Sequence, residues 1–241
     1  MLLLPESRRF SYSIVEDLKQ SGRVGTSNME FSEGSERLIT NLLKHYPNIV
    51  SCLEQIKKAF FILKETFTGK GKLLVCGNGG SAADAEHISG EFMKGFLKKR
   101  PLSDVLANKI KAMGGTADWV DLLQDNLPVI PLSTNTALIS AICNDLSSEL
   151  IFAEQVLGYG LPGDALLAIS TSGSSTNVIR AVIVAKSLGL KTIGLTGISG
   201  GLLKDLCAVT IQAPADETYR IQEYHLPIYH LLAAILEEEL F

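Results

Sequence analysis

Five short apolar runs separated by helical stretches constrain this chain more than any other feature. They fall at residues 72–76, 129–132, 165–169, 192–195 and 208–212. Runs of this length without polar alternation suit strands buried on both faces, and helices between them supply the cover. The pattern predicts an α/β fold, a mostly parallel sheet flanked by helices as an αβα sandwich. In such sheets ligands sit at the carboxyl ends of the strands. Two of the runs end in turns of small polar residues, and those turns are where chemistry is expected.

Composition narrows the function classes. With 46% hydrophobic and 20% charged residues, the chain has enough apolar matter for a proper core and is not disordered. A net charge of −4 argues against a groove that tracks nucleic-acid phosphates. Bound phosphate would then be held by neutral hydroxyls and backbone N–H groups. The opening Met1-Leu2-Leu3-Leu4 is cut by Pro5 and Glu6, too short for a signal-peptide core, and no run approaches the length of a membrane span. Cys52, Cys76, Cys143 and Cys207 are scattered without a C-x-x-C pair, three of them in apolar stretches, and read as reduced core thiols. A cytoplasmic location is expected, with no membrane or nucleic-acid partner.

Residues 1–30 show weak periodicity and read as an N-terminal extension to a domain over 31–241. From Ser32 the pattern is helical. Ile49, Leu53, Ile56, Phe60, Leu63 and Phe67 form a narrow apolar stripe that stops near Gly69. That stripe fits either another subunit or the protein's own sheet. Residues 103–126, around Gly114-Gly115 and the lone Trp119, interrupt the rhythm as an inserted pair of helices.

The first polar turn is Gly77-Asn78-Gly79-Gly80-Ser81. Its glycines let backbone N–H groups approach a ligand, and the helix start favours anions or hydroxyl-rich groups. It lacks the lysine of a Walker loop and the spacing of a dinucleotide fingerprint, and plain turn geometry is the alternative. The second turn, Ser170-Thr171-Ser172-Gly173-Ser174-Ser175, offers five hydroxyls around one glycine, a phosphate cradle without cations. Its alternative is a helix cap centred on Ser175.

His87 and Glu91 lie four apart on the helix after the first turn and share one face, a spacing that suits one Zn²⁺ or an ordinary surface pair. Gln222 and His230 lie eight apart, within about a quarter-turn of each other, with Pro227 between them. His225 reads as a packing or surface histidine.

Three blocks carry a resemblance: CGNGGSAADAEH at 76–87, AISTSGSSTNV at 168–178 and RIQEYHLPIYH at 220–230. Together they resemble the signature blocks of phosphoheptose isomerases in the SIS (sugar isomerase) domain family, over roughly residues 35–240 apart from the insertion at 103–126. The resemblance implies a single flavodoxin-like SIS domain, a homotetramer and a phosphorylated sugar as substrate. It implies conversion of sedoheptulose 7-phosphate to D-glycero-D-manno-heptose 7-phosphate, the first step of heptose nucleotide biosynthesis. It further implies one zinc per subunit on His87, Glu91, Gln222 and His230, with Glu91 and His230 as the acid/base pair. Substrate contacts are implied for Asn78, Gly79, Gly80, Glu91, Thr134, Asn135, Ser170, Thr171, Ser172, Ser175 and Gln222.

The chain departs from the family pattern at three places. Asn135 stands where an Asp is usual. Lys94-Gly95 stands where a Gly-Arg is common after Glu91-Phe92, so a cationic contact is either lost or moved to Lys98, Lys99 or Arg100. The insertion at 103–126 is the third. The rival reading is a non-catalytic SIS protein, either a sugar-phosphate sensor or a relative that binds a replication initiator; neither needs the Glu91 and His230 pair retained here.

Overall fold

The computed structural model describes residues 31–241, and the N-terminal extension expected over 1–30 lies outside the described residues. Two helices come first: α1, Glu33–His45, and α2, Leu53–Thr68, joined by a 3₁₀ turn at Pro47–Cys52. The order then runs β1 Leu73–Gly77, α3 Gly80–Phe92, α4 Asp104–Ala112, α5 Ala117–Val120, β2 Val129–Pro131 and α6 Thr136–Asp145. A 3₁₀ turn, Ser148–Leu150, leads into α7 Ile151–Tyr159, then β3 Ala165–Ile169 and α8 Thr176–Ser187. The chain closes with β4 Lys191–Thr196, α9 Leu203–Leu206, β5 Val209–Gln212 and the long α10 Thr218–Leu240. Each of the five expected apolar runs is a strand to within about one residue at its ends.

The strands form one sheet in the order β2-β1-β3-β4-β5, and every pairing is parallel. This 2-1-3-4-5 order reverses direction between β1 and β3, and the crevice outside that point is where open α/β sheets bind ligands. Strand β1 is fully buried and pairs along its whole length with β3, Cys76 opposite Ala168 and Gly77 opposite Ile169. Both polar turns therefore leave the sheet side by side.

Alternate strand residues feed two cores, as the pleat requires. Leu73, Val75, Leu167 and Ile193 face one layer with α2 and α10, while Leu74, Cys76, Leu166 and Ala168 face Phe152, Val156, Val178 and Val182 on α7 and α8. The stripe from Leu53 to Phe67 is buried in the first of these, so it docks on the chain's own sheet rather than on another subunit. Ile49 belongs to the same core but reaches it from the 3₁₀ turn that Pro47 begins. Cys52 and Cys76 are buried as expected, Cys207 only partly, and Cys143 lies exposed on α6, whose one buried residue is Ile142. Burial pushes the Cys52 thiol up to about 11, so it is inert.

Two acidic residues at the end of α10 pin distant segments. Glu237 is fully buried and accepts the N–H groups of Phe96 (2.8 Å), Leu97 (2.7 Å) and Lys98 (3.0 Å) together with Nε of the equally buried Arg100 (2.7 Å). Arg100 spends Nη1 on the carbonyl of Phe92 at 2.7 Å, and so ties the end of α3 to α10. Glu239 accepts from Ser32 N–H and Ser35 Oγ at 2.8 Å each and from Lys64 Nζ at 2.9 Å, which holds the start of α1. Burial alone would raise both carboxyls, but the backbone and cationic donors win: Glu237 lies below the usual range and Glu239 falls to about 2.

Removing one partner of the buried pair, as in Glu237→Ala or Arg100→Ala, leaves the other charge uncompensated and is expected to cost about 3–5 kcal/mol in denaturant unfolding, whereas replacing both with apolar residues costs far less. Acid provides a second check. Carboxyls with depressed folded-state values contribute stability above the unfolded value and lose it as pH falls through the folded one. Unfolding midpoints should therefore drop between about pH 4.5 and 2, less steeply in Glu239→Gln.

Candidate active site

The first turn is shaped by Gly79, whose φ of +56° favours glycine and whose missing Cβ faces open space. It serves as the N-cap of α3 and leaves the helix start uncovered by any side-chain cap. At the next position a Cβ on Gly80 would collide with the amide Nε2 of Gln222, so α10 lies hard against the start of α3. That contact is the reason two segments about 140 residues apart share one site.

Their meeting places three of the four expected ligands together. His87, Glu91 and His230 each offer a donor atom within 4.8 Å of the others. His87 Nε2 lies 3.2 Å from Glu91 Oε1 and 3.3 Å from His230 Nε2. Two imidazole nitrogens and a carboxylate oxygen converging on one point form a donor set suited to a divalent zinc, with room for further ligands. Gln222, the fourth, packs its amide against Gly80 at the start of α3. His230 is lowered from its ordinary value, first by burial and then by the neighbouring His87, which keeps its lone pair available near neutral pH. Phe96, positioned by the Glu237 clamp, covers the His230 ring at 5.4 Å.

Lys94 Nζ stands 3.7 Å from Glu91 Oε2. The cation near Glu91 is thus Lys94 itself. Arg100, an expected substitute, is buried in its pair with Glu237, and Lys98 engages Glu238 at 3.0 Å.

The second turn is a hydroxyl cluster. Ser170 Oγ lies 3.0 Å from Ser175 Oγ and 3.4 Å from Ser172 Oγ, and Ser172 Oγ accepts the N–H of Ser174 at 3.2 Å. Ser175 occupies the N-cap position of α8 but makes no capping bond. The cap alternative therefore fails: that hydroxyl is turned into the cluster. Gly173, at φ +66°, is pressed against the carbonyl of Gly200, where any Cβ would clash. Thr171 accepts the Gly197 N–H through its carbonyl, which fixes the outer wall of the turn.

Asn78 and Asn177 join the two turns by a reciprocal amide pair, each donating Nδ2 to the other's Oδ1 at 2.9 Å. Asn177 was not among the expected site residues; its only signal is its position two residues after Ser175. Thr134 donates Oγ1 to the carbonyl of Pro131 at 3.0 Å, and Asn135 Oδ1 caps α6 through the Leu138 N–H at 3.1 Å. Both lie beyond β2, next to β1 in the sheet, and the Asn135 amide nitrogen has no partner among the described residues.

Beneath the cluster lie residues that sequence reasoning placed elsewhere or passed over. Tyr229 Oη sits 3.1 Å from His87 Nδ1 and 3.3 Å from Asp84 Oδ1. His225 is fully buried, a packing histidine, with Nε2 3.3 Å from the carbonyl of Thr196 and Nδ1 4.0 Å from Asp84 Oδ2. Burial lowers His225 to about 4 and raises Asp84 to about 6.

A profile of the SIS domain matches residues 38–126 and 112–197. The phosphoheptose isomerase of a Nitratiruptor species is 40% identical over 207 residues, 84% of this chain and 98% of that protein. That of Trichlorobacter lovleyi is 42% identical over 179 residues, 74% of this chain and 79% of its own length. Among solved structures, a phosphoheptose isomerase from Francisella tularensis superposes with a TM-score of 0.66 at 27% identity, covering 95% of this chain and 99% of that one. The enzyme from Neisseria gonorrhoeae gives 0.64, with the same identity and coverage. The chain therefore belongs to the SIS domain family, in its phosphoheptose isomerase group, and is a sugar-phosphate isomerase.

Proposed function

We propose that the chain interconverts sedoheptulose 7-phosphate and D-glycero-D-manno-heptose 7-phosphate in the cytoplasm, as the first step of heptose nucleotide biosynthesis, with one zinc held by His87, Glu91, Gln222 and His230. The convergence of His87, Glu91 and His230 beside a hydroxyl cradle carries this reading. A sensor would need the cradle alone.

That geometry supports a division of labour. Hydroxyls of Ser170, Thr171, Ser172 and Ser175, with the N–H groups opening α8, hold the phosphate without a cation, in keeping with the acidic chain. Asn78, Gly79 and Gly80 offer backbone and amide contacts to the sugar hydroxyls, Gln222 closes over them, and Thr134 and Asn135 approach from the β2 side. Anchoring the far end of the sugar positions its carbonyl end against Glu91. The reaction then removes the C1 proton of the ketose and returns it to C2, while the hydroxyl proton passes from O1 to O2 across an enediolate. Glu91 and His230 flank that position and exchange these protons; a positioned acid/base group contributes about 10²–10⁴-fold. Zinc, when bound, supplies a Lewis acid for the carbonyl oxygen and its developing charge.

A homotetramer fits the family. Helices α4 and α5 and the loop after them carry exposed Val105, Met113, Trp119 and Leu122, apolar surface suited to burial between copies.

NMR of the products formed from sedoheptulose 7-phosphate tests the substrate directly. Wild type should convert it, and Glu91→Gln should lose about 10²–10⁴-fold in turnover with its fold intact; equal rates would remove Glu91 from the chemistry. Metal analysis should find one zinc per chain, lost in His87→Ala. Ser170→Ala and Ser175→Ala should chiefly raise KM, since they weaken the anchor and leave the proton-transfer pair untouched.

A further inference from the structure

Tyr229 is out of place for a core tyrosine. It is buried in the middle of α10, 2% exposed, among Ile228, Leu231 and Leu232, yet its hydroxyl reaches out of the apolar layer to the ring of His87. The His87 and Tyr229 rings meet edge to face at 5.4 Å, so ring and hydroxyl together hold one imidazole in place.

The direction of the hydrogen bonds follows from the outer end of the network. The carbonyl of Thr196 can only accept, so His225 Nε2 carries the hydrogen toward it. His225 Nδ1 is then a bare lone pair facing Asp84 Oδ2, and these are two of the three buried side-chain atoms without a partner among the described residues. Should Asp84 hold a proton, that proton belongs on Oδ2, toward the lone pair. Should it hold none, Oδ1 is a carboxylate oxygen. In both cases Oδ1 accepts, and Tyr229 Oη, having one hydrogen, donates it there at 3.3 Å. What Tyr229 offers His87 is an oxygen lone pair, and His87 Nδ1 must supply the hydrogen across 3.1 Å.

We propose that Tyr229, oriented by Asp84, is a positioning residue that accepts the Nδ1 hydrogen of His87 and thereby turns Nε2 toward Glu91 Oε1, at 3.2 Å, and His230 Nε2, at 3.3 Å. A bare lone pair on Nε2 rests on the metal reading, since without an ion the Glu91 carboxylate draws a hydrogen onto that nitrogen. A histidine ligand needs a bare coordinating nitrogen and a partner for the other one, and loss of such a partner typically lowers metal affinity about 10–100-fold.

Nitrogen-15 and carbon-13 histidine NMR on chelator-stripped protein tests it, since the chain has only four histidines to assign. Wild type should show a hydrogen on His87 Nδ1, whether or not Nε2 carries one as well. Tyr229→Phe should shift it toward Nε2–H and weaken zinc binding, by chelator competition, about 10–100-fold, with circular dichroism unchanged. Asp84→Asn should keep the wild-type tautomer, because an amide whose nitrogen faces the His225 Nδ1 lone pair still presents Oδ1 to Tyr229; Asp84→Ala should lose it. An Nε2–H tautomer in wild type, or the same tautomer and zinc affinity in Tyr229→Phe, overturns the proposal. A Tyr229-dependent tautomer in a wild-type protein that takes up no zinc upholds the positioning role and overturns the metal reading instead.

Discussion

The parallel pairing of β1 with β3 is the constraint on which the rest depends. Gly77 and Ile169 end those strands in register, and the chain leaves both in the same direction. Two turns with no sequence relationship thus become neighbouring walls of one crevice, locked by the Asn78–Asn177 amide pair. Parallel strands need long crossovers, and here the crossovers bear the candidate groups: α3 carries His87 and Glu91, and α8 opens on the hydroxyl cluster. A sheet pairing β1 with any other strand would keep every motif and lose the site.

The second requirement is that α10 crosses the start of α3, and it is met by subtraction. Gly80 lacks the Cβ that would push Gln222 away. At the far end the same helix is held by buried charge: Glu237 gathers three backbone N–H groups and Arg100, and Arg100 reaches back to the carbonyl of Phe92. The helix that brings His230 is therefore fixed on both sides of that residue. This matters because a donor cluster with atoms about 3.3 Å apart tolerates little drift before it stops being one.

Strand positions, the two turns and the ligand spacing were readable from sequence because each depends on local pattern: apolar runs of strand length, glycine and serine at strand ends, and a four-residue step on a helix. The charged clamp was not. Arg100 closes a run of Lys98-Lys99-Arg100, and Glu237 opens a run of Glu237-Glu238-Glu239, and runs of that kind read as solvated faces. One member of each is turned inward to meet the other, and nothing in either run marks which. Cys143 errs the opposite way: its apolar neighbours suggest burial, but α6 packs chiefly on the 3₁₀ turn Ser148–Leu150 and on α7, with only Ile142 buried.

Tyr229 shows why the deeper part of a site resists such reading. In a helix rich in Leu, Ile and Ala a tyrosine is expected to pack, and it does; its function lies in the one polar atom at the end of the ring. That atom acquires meaning only from Asp84 and His87, three residues apart on another helix, and from His225, whose bond to Thr196 sets the polarity of the chain of donors. Residues from two helices and a strand must all be in place before the direction of a single hydrogen bond is determined. The donor triad can be guessed from residue types, whereas the direction of the hydrogen bond at His87 is a property of the assembled core.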